Sequence, residues 1–272
     1  GGYGLSIRTE DIARFGQLYL QRGRWQGKQL VPEAWIEAAT ARQTSNGSDP
    51  ESDWAQGYGY QFWRCRHGAY RGDGAFGQFC IVLPEQDAVI AMTSGLKNMQ
   101  SVLNLVWEKL LPAIKSSSLP ADDVAAGKLR AASNGLSLDA VDGAASHGDL
   151  VGKRFLFAAN EHTLQSITLE PDTSGSTVTL VARIGEKDQR IACDRGAWRK
   201  GSFAWLGLPE QPVAASGAWT EANVFTARLC FYETPFTVTV ALKLAGDELQ
   251  CSTKSNVGFG ANTELRLTAK AE

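Results

Sequence analysis

Ile12, Phe15, Leu18 and Tyr19 recur at the spacing that lines up apolar side chains on one helix face. Thr9 stands ahead of them as an N-cap, and Glu10 and Asp11 suit the positive end of the helix dipole. Arg22 followed by Gly23 marks a stop. A turn or hairpin over 25–30 follows, then a shorter helix opened by Pro32 and carrying Ala34, Trp35, Ala38 and Ala39. Residues 44–52 are rich in Ser, Asn, Gly, Asp and Pro and predict an exposed loop. The period then shortens to that of a strand. Tyr58, Tyr60 and Phe62 alternate with smaller or polar residues, 78–83 is an apolar run that could begin as early as 69, and 88–93 is another. Pro84-Glu85-Gln86-Asp87 supplies a turn between the last two. Asn98 then caps a helix carrying Val102, Leu103, Val106, Leu110 and Ile114, with Trp107 on the same side. The pattern predicts a helix pair, an antiparallel three-stranded piece over 58–93 and a long helix packed on it.

After Lys115 the texture changes. Residues 116–149 are rich in Ser, Ala, Gly and Asp and read as a linker with one weak helix near 122–130. Beyond it, 166–169, 177–184, 224–232, 236–244 and 263–268 alternate apolar and polar residues. Turn signals such as Asp172-Thr173-Ser174-Gly175 and Gly246-Asp247 separate them. Strands at this spacing predict a sandwich or small barrel. The fold class is α+β: an antiparallel sheet with packed helices over 1–115, a linker over 116–149, and an all-β barrel-like domain over 150–272.

A chain of 272 residues, 43% of them hydrophobic, has enough length and apolar content for two cores. A net charge of −2 argues against nucleic acid as a partner. No stretch approaches the ~18 apolar residues of a membrane helix. Cys65, Cys80, Cys193, Cys230 and Cys251 are odd in number and form no C-x-x-C pair, which predicts buried free thiols rather than a zinc ribbon or a full disulfide framework. His67, His147 and His162 are scattered, so neither a metal nor another cofactor is expected. The chain opens Gly1-Gly2-Tyr3 with no Met and no signal peptide, and reads as a piece of a longer protein. Ile12, Leu18, Tyr60 and Val89 are then expected to be less covered than their types suggest.

Gly72-Asp73-Gly74-Ala75-Phe76-Gly77 spells G-x-G-x-x-G. A dinucleotide site needs a helix to follow, and here an apolar β run ends at Pro84 instead. Glycines in such a place mark a strand whose backbone borders a pocket.

Several short motifs in order resemble one family. Gly1-Gly2-Tyr3-Gly4-Leu5-Ser6, Thr9-Glu10-Asp11-Ile12-Ala13-Arg14-Phe15-Gly16 and Gly27-Lys28-Gln29-Leu30-Val31 are similar to segments of the penicillin-binding-protein-like serine hydrolases, which include class C β-lactamases, esterases and D-alanyl peptidases. Gly74-Ala75-Phe76-Gly77-Gln78, Pro84-Glu85 and Val89-Ile90-Ala91-Met92-Thr93-Ser94 resemble that fold's final sheet hairpin. The resemblance covers roughly the first two fifths of the chain. It places the family's Lys/His-Thr-Gly triplet on Gly72-Asp73-Gly74, with Gly72 in place of the cationic or imidazole residue and Asp73 in place of Thr. It implies that the main-chain N–H of Ala75 is an oxyanion donor, a role that needs no particular side chain. Gly72, Asp73, Gly74 and Gln78 become candidate substrate contacts.

The family's Ser-x-x-Lys and Tyr-x-Asn motifs are expected upstream of Gly1. Ser94-Gly95-Leu96-Lys97 fits the first in letters but reads as a strand-exit turn, and Tyr58-Gly59-Tyr60 lacks the Asn. The resemblance therefore implies the C-terminal part of a serine hydrolase acting through an acyl-enzyme on an ester, amide or β-lactam, inactive alone. The alternative is a non-catalytic hydrolase-like protein whose β domain binds a peptide, lipid or partner subunit. The partner is a small-molecule or peptide substrate, a homo-oligomer is left open, and a periplasmic or secreted location rests on the resemblance only. The β domain resembles lipocalin-like extensions, on its patterning plus Gly217-Ala218-Trp219 and Asn256-Val257-Gly258-Phe259-Gly260. Trp198, Trp205 and Trp219 are expected in its core, and Asp194 and Glu233 in solvent.

Overall fold

The computed structural model describes residues 4–144, 148–173, 176–260 and 264–272. Gly1-Gly2-Tyr3, His147, the Ser174-Gly175 half of one turn and Thr263 lie outside the described residues. The chain divides into two units, Gly1–Gly127 and Lys128–Glu272.

The first unit contains α1 (Thr9–Leu20), β1 (Arg24–Trp25), β2 (Lys28–Gln29), α2 (Glu33–Thr40), β3 (Trp63–Arg64), β4 (Tyr70–Gly74), β5 (Gln78–Leu83), β6 (Ala88–Met92) and α3 (Met99–Leu105). Strands β3-β4-β5-β6 form an antiparallel sheet in that order. Alternation along β5 sends Phe79, Ile81 and Leu83 into a cluster with Leu103, Val106 and Trp107. Val82 goes to the other face, with Tyr19, Ile36, Phe62 and Tyr70. The first helix lies close on that face because residue 16 is glycine: a Cβ there would meet Val89 Cγ1 at 2.5 Å and Cys80 Sγ at 2.8 Å.

Four local expectations are corrected. Thr9 is the first helical residue rather than the cap; Arg8 takes the cap position, and the Thr9 hydroxyl pairs with that of Thr93 at 3.1 Å. Pro32 is likewise the cap residue of α2 rather than its first helical residue. Residues 58–62 form no strand, because Gln61 sits at φ 67°; Tyr58 makes only isolated bridges to Thr44 and Trp63, and the sheet has four strands, starting at Trp63. The long last helix is broken. After α3 the backbone widens to a π turn over Val106–Leu110 and tightens to a 3₁₀ turn over Leu111–Ala113, where Pro112 lacks the N–H that would continue the ladder. Ile12, Leu18 and Val89 are half-buried, while Tyr60 is exposed and stacks on exposed Trp35.

Helix α4 (Asp123–Asn134) runs across the boundary between the units, capped by the Asp122 carboxylate, and buries none of its residues. The second unit is built from β7 (Arg154–Phe157), β8 (Leu164–Pro171), β9 (Thr177–Ile184), β10 (Lys187–Asp194), β11 (Arg199–Trp205), β12 (Leu208–Glu221), β13 (Val224–Cys230), β14 (Thr237–Ala245), β15 (Glu248–Ser255) and β16 (Glu264–Ala271). Their order is β10-β9-β8-β7-β16-β15-β14-β13-β12-β11. A parallel pair, Asp194 with Ser216, joins β10 to β12 and closes a nine-strand ring among the described residues, with β11 on the free edge of β12. The barrel reading of the strand pattern therefore holds, and large apolar side chains line its core. Phe155, Phe203, Trp205, Phe225 and Phe231 are fully covered, packed with Leu180, Val213, Leu229 and Val240. Trp219 is also buried; Trp198 is half-exposed and donates from Nε1 to Leu138 O at 2.7 Å. Cys65, Cys80, Cys193 and Cys251 are buried free thiols and Cys230 is half-buried.

The segment 138–144 is tied to the barrel of the second unit by hydrogen bonds from Trp198 and Arg228 and by one from Val141 N to the Ser216 hydroxyl. Limited proteolysis should therefore cut first within 116–137 and leave 138–144 on the resistant fragment. Mass spectrometry of the earliest fragments checks this; a first cut inside 138–144 would show that the ties are weak.

Candidate functional site

Strands β4 and β5 form a hairpin in which Gly72 faces Cys80, Asp73 faces Phe79 and Gly74 faces Gln78. On its other side β4 is paired only at Tyr70 and Arg71, by the two residues of β3. The outer edge of Gly72-Asp73-Gly74 thus has no ladder partner among the described residues. The hairpin turns through Ala75, Phe76 and Gly77, with φ 68° at Phe76 and 92° at Gly77. Glycine is required at 77, where a Cβ would also press on Ser94 Cβ at 3.0 Å.

The turn is braced by one amide. Gln78 Nε2 donates to Ser94 O at 2.6 Å and to Ala75 O at 3.2 Å, while Ser94 N donates to Gln78 Oε1 at 3.3 Å. Leu96 N adds a bond to Phe76 O at 3.1 Å. Ala75 is exposed, and its N–H has no acceptor among the described residues. The five candidate residues Gly72, Asp73, Gly74, Ala75 and Gln78 therefore lie in one hairpin, with Ser94 beside it in a non-helical strand exit.

The polar side chains divide their roles. Gln78 spends its amide on the turn. Asp73 turns to the face occupied by Arg71, two residues away on the strand. Its Oδ2 accepts from Arg71 Nε at 3.0 Å and lies 2.9 Å from Nη2. Burial raises the Asp73 carboxyl above its ordinary pKa, and the charge and hydrogen bonds of Arg71 pull it back only in part. Gly72 leaves space: a Cβ there would meet nothing closer than Cys80 Cβ at 4.0 Å.

Behind the hairpin lies a polar core that the sequence reading did not find. Arg71 is fully buried, 4.4 Å from the centre of the Trp54 ring and 5.6 Å from that of Trp63. Its Nη1 donates to Asp53 O at 2.9 Å and lies 3.1 Å from Cys65 Sγ. Burial pushes the Cys65 thiol up to about 11 despite that cation. Asp53 is also fully buried. Its carboxylate accepts from Trp107 Nε1 at 2.9 Å, Gln100 Nε2 at 2.6 Å, and Arg66 N, Nε and Nη2 at 2.9, 3.2 and 3.1 Å. Burial raises the Asp53 pKa, but the bonds from Trp107, Gln100 and Arg66 outweigh it and leave the carboxyl below its ordinary value. The alternation of Arg71 and Asp73 on one strand face was the available signal. Asp53 gave none, since it follows directly on a loop-like stretch.

Other candidates fall elsewhere. His67 is exposed, its ring 5.3 Å from that of Trp107, and His162 sits beside Glu161. No group of His, Cys, Asp and Glu suited to a metal occurs among the described residues. Glu233 is exposed, but Asp194 is paired rather than solvated: its Oδ1 accepts from Thr177 Oγ1 and Arg199 Nε, each at 2.8 Å.

Residues 1–105 match the family model described as Beta-lactamase. No curated protein matches the chain. Among solved structures, a fatty acid-binding protein from Drosophila melanogaster brain is 15% identical, with a TM-score of 0.34, over 44% of this chain and 99% of that one. A Schistosoma mansoni fatty acid binding protein in complex with arachidonic acid is 14% identical, with a TM-score of 0.36, over 46% of this chain and 98% of that one. An octameric penicillin-binding protein homologue from Pyrococcus abyssi is 15% identical, with a TM-score of 0.26, over 95% of this chain and 46% of that one. The first 105 residues are a Beta-lactamase-like region, followed in the same chain by a closed β-barrel.

Proposed function

We propose that the first unit supplies one wall and one oxyanion donor, the Ala75 N–H, to the pocket of a serine hydrolase that forms an acyl-enzyme on an ester, amide or β-lactam. The observation that carries this reading is the N–H of exposed Ala75, without an acceptor among the described residues, at the end of a strand whose outer edge, Gly72-Asp73-Gly74, has no ladder partner among them. A substrate carbonyl at that position receives a hydrogen bond that strengthens as negative charge develops on its oxygen. The glycines allow close approach of a small-molecule or peptide substrate, and the Gln78 brace holds the donor in place. Serine Oγ attacks the carbonyl, its proton passes to a base and then to the leaving group, and water later releases the acyl group. On this reading the nucleophile belongs to a Ser-x-x-Lys other than Ser94-x-x-Lys97, whose serine is a turn residue.

The test is acylation by a fluorophosphonate probe and by a chromogenic ester, measured on the natural polypeptide that contains this chain. Ala75→Ser should change the rate little, because the donor is main chain. Ala75→Pro removes the donor and should cost about 10²–10³ in rate. Ser94→Ala should leave acylation intact. Loss of acylation in Ser94→Ala with none in Ala75→Pro would move the nucleophile to Ser94. A second reading, a hydrolase-like protein that binds without chemistry, draws on Gly72, which carries no side chain, and on Asp73, which is committed to Arg71. Failure of the unaltered polypeptide to be acylated would favour it.

A further inference from the structure

We propose that the segment 138–144 is a latch on the closing seam of the β-barrel, and that its release opens the barrel at β10 and β12 without unfolding it. This rests on the second unit only and is independent of the hydrolase reading.

The seam has the shortest backbone pairing in the ring, and side-chain bonds from β11, Arg199 Nε to Asp194 Oδ1 at 2.8 Å and Ala204 N to Gln189 Oε1 at 3.2 Å, hold β10 beside it. Neighbouring strands elsewhere pair over runs of residues, but β10 and β12 meet at one pair, Asp194 with Ser216. Ser216 is fully buried, and its hydroxyl pins three segments together. It accepts from Val141 N at 2.9 Å and donates to Asp194 O at 2.8 Å. Val141 is itself buried, and its carbonyl accepts from Gly196 N at 2.8 Å, in the turn that leaves β10. Ala144 bridges Trp219 on β12, beyond the last residue that β11 pairs. The segment thus occupies the stretch of β12 edge that β11 does not reach. Its outer anchors include two half-exposed donors, Arg228 Nη1 to Asp139 O at 2.7 Å and Trp198 Nε1 to Leu138 O at 2.7 Å, with a longer bond from Arg195 Nη1 to Gly143 O at 3.5 Å.

A reporter lies directly behind the seam. Cys193 precedes Asp194 and is fully buried; a Cβ on Gly217 of β12 would meet Cys193 Cβ at 2.9 Å. Cys251 is equally buried in the same core but on β15, away from the seam. Burial pushes both thiols up to about 12, so in the closed state neither has an intrinsic advantage. Opening at the seam exposes Cys193 alone, whereas unfolding of the unit exposes both.

The experiment is iodoacetamide labelling of the whole chain under native conditions, resolved by peptide mass spectrometry. Ser216→Ala removes the shared pin, and Arg228→Gln removes an outer anchor at a site that leaves the core untouched. Both should raise the Cys193 rate by about tenfold or more while Cys251 stays at its original rate. If Ser216→Ala labels Cys251 freely, the unit has unfolded and Arg228→Gln decides. Equal acceleration of Cys193 and Cys251 in Arg228→Gln, or no acceleration of Cys193, overturns the latch.

Discussion

Asp53→Ala should unfold the first unit under conditions in which the second stays intact. The substitution removes the acceptor shared by Trp107, Gln100 and Arg66, and leaves their buried donors without it. Breaking a buried, multiply bonded ionic group by removing one partner costs about 3–5 kcal/mol, a large share of the ~5–15 kcal/mol that holds a domain together. Urea titration followed by near-UV circular dichroism and by proteolysis of each unit measures it. A loss below ~1 kcal/mol would show that the network reorganises around the gap. The same residue sets a pH dependence. Its folded pKa lies below the unfolded value, so its contribution is complete above about pH 4 and is lost as pH falls through the folded pKa. The unaltered first unit should weaken in that acid range, and Asp53→Ala should lose that part of the dependence.

Trp205→Ala should cost the second unit about 3–5 kcal/mol and give it a binding property it otherwise lacks. The indole is fully covered, stacks near Phe203 at 5.8 Å between ring centres, and donates from Nε1 to Thr253 Oγ1 at 3.2 Å. Removing it leaves an apolar space walled by rigid strands, of the kind that stays dry and takes up small apolar molecules. Chemical denaturation reads the stability. Titration with benzene, followed by the thermal midpoint, reads the binding, which should appear in the variant only. Equal stabilisation of both forms by benzene would mean that the interior already has room.

The elements most legible in the sequence were those whose burial follows a simple period. Strand 177–184 was read to the residue, and 224–232 and 236–244 to within two residues at either end, because each lies between a core and solvent with turn residues at both ends. The Asn98 cap was legible because it is a local contact, Asn98 Oδ1 to Ser101 N. Thr9 had the same letters, but its hydroxyl is taken by Thr93, a partner far away in the chain that no local pattern announces. Residues 58–62 alternate like a strand, yet the positive φ of Gln61 turns the chain after Tyr60 and the aromatic rings stack instead of forming a ladder. At the candidate site the glycine spacing and the β run placed a strand, but the turn over 75–77 that splits the run 69–83 into the paired strands β4 and β5 was not legible, because it rests on the positive φ of Phe76 as well as of Gly77. The commitments of Asp73 and Gln78 were not legible, because Arg71 and the Ser94 backbone reach them only after folding. The shared acceptor Asp53 depends on residues from four separate stretches of chain, which is why a linear reading passed over it.

The order of strands in the barrel has a consequence for how the chain is made. Strand β7, the first of the unit, has β8 on one side and β16, the last, on the other, down to Ala271 beside Phe155. During synthesis the growing sheet therefore carries two raw edges until the final eight-residue strand has emerged. One is β7, waiting since the start of the unit, and the other is β15. Each presents unpaired backbone groups that another nascent chain can take up. The final strand is the keystone of the ring, and a chain released before it is complete has a folded meander with two adhesive sides rather than a shorter barrel.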